Sequence, residues 1–275
     1  MKTKGFTLIE LLVVIAIIAL LLSILMPALN QVKEKGRSAV CRSNLHQWYL
    51  CMTMYESDHN GTFWPGYSPP TIIMWWTAMR VYHEDNNDIR CCPNAKLPPF
   101  LIVNGVELSG PGSNREPPFR AWGQMEFPAW DIDADHGSFG CNGWLSNAPP
   151  ENPNRDAKYW RKMAMVTTPS NVPFMFDAQW TDNWLEPYEG PQPEENTRWD
   201  SPEGHSTQWT RVIQNRHGHG TQNAIFMDGV ARKVGLKEMW TFKWHRGYDT
   251  SGEWTKAGGV TRDQWPDWMR RFTEY

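Results

Sequence analysis

Residues 6–29 form a run of Leu, Ile, Val, Ala and Met broken by Thr7, Ser23 and Pro27, and Glu10 is its one ionisable side chain. Such a predominantly apolar stretch predicts a helix greasy on every side. At roughly 1.5 Å per residue it spans about 36 Å, enough for a hydrocarbon core about 30 Å thick. The pattern then changes. Val32, Ala39, Cys41, Leu45, Trp48, Met52 and Tyr55 recur mostly three or four places apart, while Lys33, Glu34, Lys35, Arg37, Arg42 and Glu56 fall largely on the other side. That periodicity predicts the same helix continuing in water with one stripe laid on a folded body. Pro27 removes a backbone hydrogen bond and should bend the rod, Gly36 weakens it, and Asp58-His59-Asn60-Gly61 should stop it. Farther on, residues 172–176 alternate as a strand ending at Asp177. Residues 223–227 and 230–234 read as two strands joined by an Asp228-Gly229 turn.

Glu10 is the position that needs explaining. A carboxylate at membrane depth costs on the order of 2.5–3.5 kcal/mol and calls for a partner, yet no Lys or Arg lies between Phe6 and Asn30. A secretory signal peptide would have a shorter apolar core and a small-x-small site after it, which this run lacks. An ordinary anchor accounts for the length and for the Lys2 and Lys4 flank, but for neither Glu10 nor the abrupt Lys4-Gly5-Phe6 junction.

These residues closely resemble the class III signal of type IV pilins and type II secretion pseudopilins. The resemblance implies cleavage by a prepilin peptidase between Gly5 and Phe6, and N-methylation of Phe6. It makes Glu10 the family's acidic assembly position and Pro27 its helix-bending proline. A new cationic amine at Phe6 could then pair with Glu10 of a neighbouring copy in low dielectric. Cys41-Arg42-Ser43-Asn44-Leu45-His46-Gln47, Cys92-Pro93 and Gly140-Cys141-Asn142-Gly143-Trp144 narrow the likeness to pilin-like proteins abundant in planctomycetes. Arg216 to Gly229 resembles that branch's His-(nine residues)-Asp-Gly signature, but the gap to Asp228 is ten residues from His217 and eight from His219.

The resemblance implies an α+β pilin-like fold. A long N-terminal helix, its first half transmembrane, packs on an antiparallel β-sheet of about four or five strands with long loops. The implied organisation is a leader at 1–5, a transmembrane half-helix at 6–29, an amphipathic half at 30–58 and a β-rich domain at 59–275. It further implies a single pass through the bacterial inner membrane, N-terminus cytoplasmic, with the C-terminal domain in the periplasm or on a filament. Expected partners are the peptidase, other copies or other pseudopilins in a helical filament, an inner-membrane assembly platform and the membrane. The expected role is structural, as a subunit of a type II secretion pseudopilus or related type IV filament.

Net charge −3 gives no basic surface, so nucleic acid is not a suggested partner. Pro 21 and Gly 21 indicate a loop-rich body. The 17 tryptophans raise a rival reading, a tethered glycan-binding protein that does not polymerise. Tryptophan is mostly buried, though, and the scattered spacing favours core packing. Cys41, Cys51, Cys91, Cys92 and Cys141 could form disulfides in an oxidising compartment, but they show no CxxC pair and no zinc-type spacing with histidine. His217, His219 and Asp228 are residue types that bind zinc, yet Gly218 and Gly220 make a loop there. The expectation is that His217 is bonded into the hairpin. Asp131, Asp133 and Asp135, followed by Gly137, resemble the donors of a calcium loop, with the glycine one place late and Asn142 where a bidentate acid belongs. No nucleophile elbow, P-loop, His-Glu-x-x-His or dinucleotide fingerprint occurs, so no enzymatic activity is expected.

Overall fold

The structure is a computed structural model, and it describes residues 8–66, 73–84, 86–95, 100–103, 106–109, 137–195 and 207–275. One helix, α1 (Leu8–Asp58), runs for 51 residues with Pro27 inside it. Its end is built as the sequence predicts. Asn60 and Gly61 take φ of 56° and 73°, and the Gly61 N–H bonds the Glu56 carbonyl at 2.7 Å, closing the last turn.

Seven strands follow: β1 (Phe100–Val103), β2 (Val106–Ser109), β3 (Phe139–Asn142), β4 (Pro173–Asp177), β5 (Asp182–Asn183), β6 (Thr221–Phe226) and β7 (Ala231–Gly235). β1 and β2 pair as an antiparallel hairpin. The other five make one sheet in the order β5-β3-β4-β6-β7. Its pairings are antiparallel except at one edge, where β5 runs parallel to β3. The predicted sheet is therefore mixed, because the chain crosses from β4 to the far side of β3 before adding its short edge strand. β6 and β7 form the predicted hairpin, with Ile225 opposite Ala231 and Gly229 at φ +81° in the turn.

β4 is the central strand and is buried at all five positions. α1 buries Ser38, Cys41, Asn44, Leu45, Trp48, Cys51, Met52 and Tyr55; it lies against β4, β6 and β7 and, through Asn44, Trp48 and Cys51, against residues 82–91. The stripe thus starts at Ser38. Val32 and Ala39, which the periodicity placed on it, are exposed, because the body does not reach Val32 and Ser38 takes the contact beside Ala39. Side chains alternate across a strand, so Phe176 and Phe226 point away from α1. There they meet Trp244 and Phe242 edge to face, at ring separations of 5.1 and 4.9 Å. Trp209 stacks on Trp240 at 3.9 Å, and Trp265 meets Trp240 edge to face. Every described tryptophan is buried or half-buried: Trp209, Trp240, Trp244 and Trp265 build the second layer of the core, while Trp48 of α1 meets Trp75 in another part of it. Trp122, Trp130 and Trp199 lie outside the described residues.

The Gly-Cys-Asn-Gly-Trp motif is a structural corner. Asn142 is fully buried and donates to the Pro173 and Trp244 carbonyls at 3.1 and 2.9 Å while accepting from the Trp144 N–H. A Cβ at Gly143 would stand 2.5 Å from the Trp184 ring. Only glycine permits that approach.

Candidate functional site

Two features stand out once the chain is folded. The first is the bare half of α1. Residues 8–33 are exposed all round. The helix is long and apolar enough to cross a membrane, its most apolar stretch reaching a mean hydropathy of 3.2 with none of it buried. Glu10 sits in the first turn. Gly5 and Phe6 lie outside the described residues.

The second feature is a buried cluster that brings together Cys41 of α1, Cys92 of the Cys-Pro turn, Asp177 at the end of β4 and His217 ahead of β6. One donor atom from each lies within 4.8 Å of all the others. The His217 Nε2 is 3.4 Å from the Cys92 sulfur and 3.3 Å from Asp177 Oδ2. The Cys41 sulfur is 3.8 Å from Asp177 Oδ1. Local backbone holds each donor in place. The Cys92 N–H bonds Ser138 Oγ at 2.7 Å, and the His217 N–H bonds the Thr221 carbonyl at 3.2 Å.

Around the four lies a supporting shell. Arg216, itself buried, donates to Asp177 Oδ1 at 2.9 Å and to the Ser138 and Ala178 carbonyls. The Asn223 N–H donates to Asp177 Oδ2 at 2.9 Å. On the far side of the imidazole, His217 Nδ1 meets Glu34 Oε1 at 3.0 Å, and Asn94 donates to the same oxygen at 2.7 Å.

The electrostatics follow from burial and these neighbours. Burial alone would raise the Asp177 carboxyl, but Arg216 and His217 outweigh it and hold the group well below the usual carboxylate range. Burial would lower His217, but Asp177 and Cys92 push it up to about 10. Cys92, also buried, is drawn down to about 7 by Cys41, His217 and Arg216. Cys41 is pushed well up, first by burial and then by its bond to Cys92.

The sequence-derived candidates are distributed unevenly over these features. His217 joins the cluster instead of being tied only into its hairpin, because the turn aims its ring at Asp177 and Glu34. His219 does not accompany it: at φ 54° it is exposed, so the two imidazoles do not converge. Asp228 is exposed at the hairpin tip and accepts from the Val230 N–H at 3.0 Å. Gly229 packs on Tyr49 of α1, whose ring lies 2.9 Å from where a Cβ would stand. The Asp228-Gly229 turn is thus a contact with the helix. Asp131, Asp133 and Asp135 lie outside the described residues. All five cysteines are free thiols, and Cys51, Cys91 and Cys141 stand apart from the cluster. Cys41, Cys92 and His217 each belonged to a sequence motif, but nothing in their spacing announced that they converge with Asp177, Arg216 and Glu34.

Comparison with known proteins addresses the first feature. Residues 1–26 match the prokaryotic N-terminal methylation motif. The chain is 44% identical over 59 residues to the type IV wide pilus major component of Thermus thermophilus, an alignment covering 22% of this chain and 45% of that protein. It is 36% identical over 61 residues to a ComG operon protein 3 homolog of Bacillus licheniformis, covering 22% of this chain and 63% of the other. The chain therefore spans about half the length of the curated relatives it matches. No solved structure matches it. With the methylation motif at its start, an apolar helix long enough to cross a membrane and a sheet packed on the second half of that helix, the chain is similar to type IV pilin-like proteins carrying a prepilin signal.

Proposed function

We propose that this chain is a structural, non-enzymatic subunit of a helical filament, either a type II secretion pseudopilus or a related type IV filament. The observation that carries the reading is the exposure of residues 8–33 beside a fully packed body. Each Leu, Ile or Val left in water forfeits about 1.5–3 kcal/mol, so this half-helix needs lipid or other copies around it. It is first an anchor in the inner membrane, with the N-terminus cytoplasmic and the sheet domain in the periplasm. Prepilin peptidase cuts after Gly5 and Phe6 is methylated. The assembly platform then draws the helix from lipid into a filament core of packed apolar segments.

Glu10 sets the register by pairing with the Phe6 amine of a neighbouring copy, a contact that low dielectric makes strong. Adding copies from below pushes a rod outward, so the work is mechanical. The named role of the Thermus relative, major component of a wide pilus, supports filament formation. The test is Glu10→Leu in cells that assemble the wild-type protein. Membrane insertion and N-terminal processing should persist while filaments seen by electron microscopy are lost. Normal filaments from that variant would refute the role of Glu10. Mass spectrometry showing any start other than methylated Phe6 would refute the processing.

A further inference from the structure

We propose that Cys41, Cys92, Asp177 and His217 form a closed, four-ligand site for a divalent transition metal, zinc being the best fit. The argument is geometric. For Zn–S of about 2.3 Å and Zn–N and Zn–O of about 2.0 Å, a tetrahedron has edges of about 3.5 Å for S···N, 3.3 Å for N···O and 3.5 Å for S···O. The corresponding separations here are 3.4 Å from the Cys92 sulfur to His217 Nε2, 3.3 Å from that nitrogen to Asp177 Oδ2, and 4.0 Å from the Cys41 sulfur to the same Oδ2, an edge that loading would shorten by about 0.5 Å. Four donors from four separate stretches of chain thus surround a common point at close to the spacing the ion would impose.

The shell around them is equally suited. His217 presents Nε2 inward because Nδ1 faces Glu34, and Asn94 holds that carboxylate in place. A carboxylate on the outer nitrogen of a ligating imidazole fixes its tautomer and strengthens it as a donor. Arg216 and the Asn223 N–H orient Asp177 while leaving a lone pair on Oδ2. Loading one divalent cation forms four metal–ligand bonds, and the protons carried by the cysteine sulfurs and His217 Nε2 leave to solvent, because thiolate and unprotonated imidazole nitrogen are the forms that bind the ion.

Two other uses of the same residues fit less well. A Cys92–His217 nucleophile would need a substrate path, but the two residues are 0% and 1% exposed. A Cys41–Cys92 disulfide would use two of the four groups and leave the convergence of Asp177 and His217 on both sulfurs without a purpose. A sealed site with every position taken by protein is the structural kind. It would fasten α1 to β4, to the Cys-Pro turn and to the hairpin just beyond the bare half-helix.

The experiment uses the full chain in detergent, purified with reductant and without chelator, then dialysed against zinc chloride or cobalt(II) chloride. Elemental analysis should give about one equivalent of zinc per chain. The cobalt form should show thiolate-to-cobalt charge transfer in the near ultraviolet and the intense visible bands of a tetrahedral site. His217→Ala and Cys92→Ser should lose the metal, and His219→Ala should keep it. Should the ligand variants fail to fold, the wild-type cobalt spectrum decides alone. The proposal is overturned by wild-type protein with intact thiols that retains no metal, by a Cys41–Cys92 disulfide in the isolated protein, by an octahedral cobalt spectrum without a thiolate band, or by metal retained in His217→Ala.

Discussion

The two halves of α1 share one backbone geometry and follow opposite rules. Residues 8–33 have no inward face, and their side chains are exposed in every direction. From Ser38 to Tyr55 a single stripe is buried, and it includes Ser38 and Asn44 as well as large apolar side chains. In the first half, apolarity is the whole specification and any similar side chain serves. In the second half, shape and hydrogen bonding specify each position. A helix that passes between two surroundings must be encoded twice, and the sheet domain can only have fixed the second encoding.

The largest effect that could break this contrast comes from Trp48. It is 1% exposed, donates from Nε1 to the Ile89 carbonyl at 2.9 Å and meets Trp75 edge to face at 4.9 Å. Trp48→Ala should cost about 3–5 kcal/mol in urea unfolding of the detergent-solubilised chain. Ile18→Ala, made in the bare half, should leave that transition unmoved. Equal costs would mean that the domain fold reads both halves alike.

A pH titration asks whether the buried half and the sheet unfold as one body. Burial pushes the Asp182 carboxyl up to about 7, with Thr181 and Arg211 offsetting only part of the penalty. Its folded-state value lies above the unfolded one, so its contribution is fully present at pH below about 4 and is lost as pH rises toward 7, by at most about 1.4 kcal/mol per pH unit. The Trp75 indole bonds the Thr181 carbonyl next to Asp182 and rests on Trp48, so the loss should reach α1. Near-ultraviolet dichroism and the helix signal of the packed half should melt together and earlier at pH 7 than at pH 4.5. Asp182→Asn should flatten the dependence. A helix signal indifferent to Asp182 would uncouple the stripe from the sheet.

Asn44 tests the polar part of the stripe on a smaller scale. Its amide donates to the Asp88 and Cys91 carbonyls at 3.1 and 3.0 Å. Asn44→Leu keeps the volume but strands both acceptors, at a cost of about 1–3 kcal/mol. Asn30→Leu, at an exposed position, should change stability by less than about 0.5 kcal/mol. Denaturant midpoints of the pair decide whether hydrogen bonding specifies the buried half.

Asn44 also marks the limit of what periodicity reveals. Cys41, Leu45, Trp48, Met52 and Tyr55 were legible because apolar side chains three and four places apart must share a face. Ser38 and Asn44 were not, since polarity argues for water unless the partner is known, and their partners are Asn223 and the carbonyls near Cys91. The same holds for strands. β4 and the β6–β7 hairpin carry local signals, whereas β5 is two residues long and takes its place from the crossover before it. The Cys41–Cys92–Asp177–His217 cluster is the extreme case: each member carries its chemistry openly, but convergence is a property of the topology and leaves no trace in spacing. The signal at Gly5, Phe6 and Glu10 is the reverse, complete within a few consecutive residues.

The smallest predicted effect falls at the border between the halves. Gly36 is helical, and a Cβ added there would meet nothing within 4 Å. Glycine inside a helix costs roughly 0.5–1 kcal/mol relative to alanine through the backbone freedom lost on folding. If α1 is one continuous rod across this point, Gly36→Ala should recover that amount, raising the denaturant midpoint with no new contact to explain the gain. If the rod bends at Gly36 in a membrane or in a filament, alanine opposes the bend, and the variant should be neutral in detergent yet assemble poorly. The presence or absence of a sub-kilocalorie gain thus separates a helix encoded twice along one straight axis from two helices that meet at a joint.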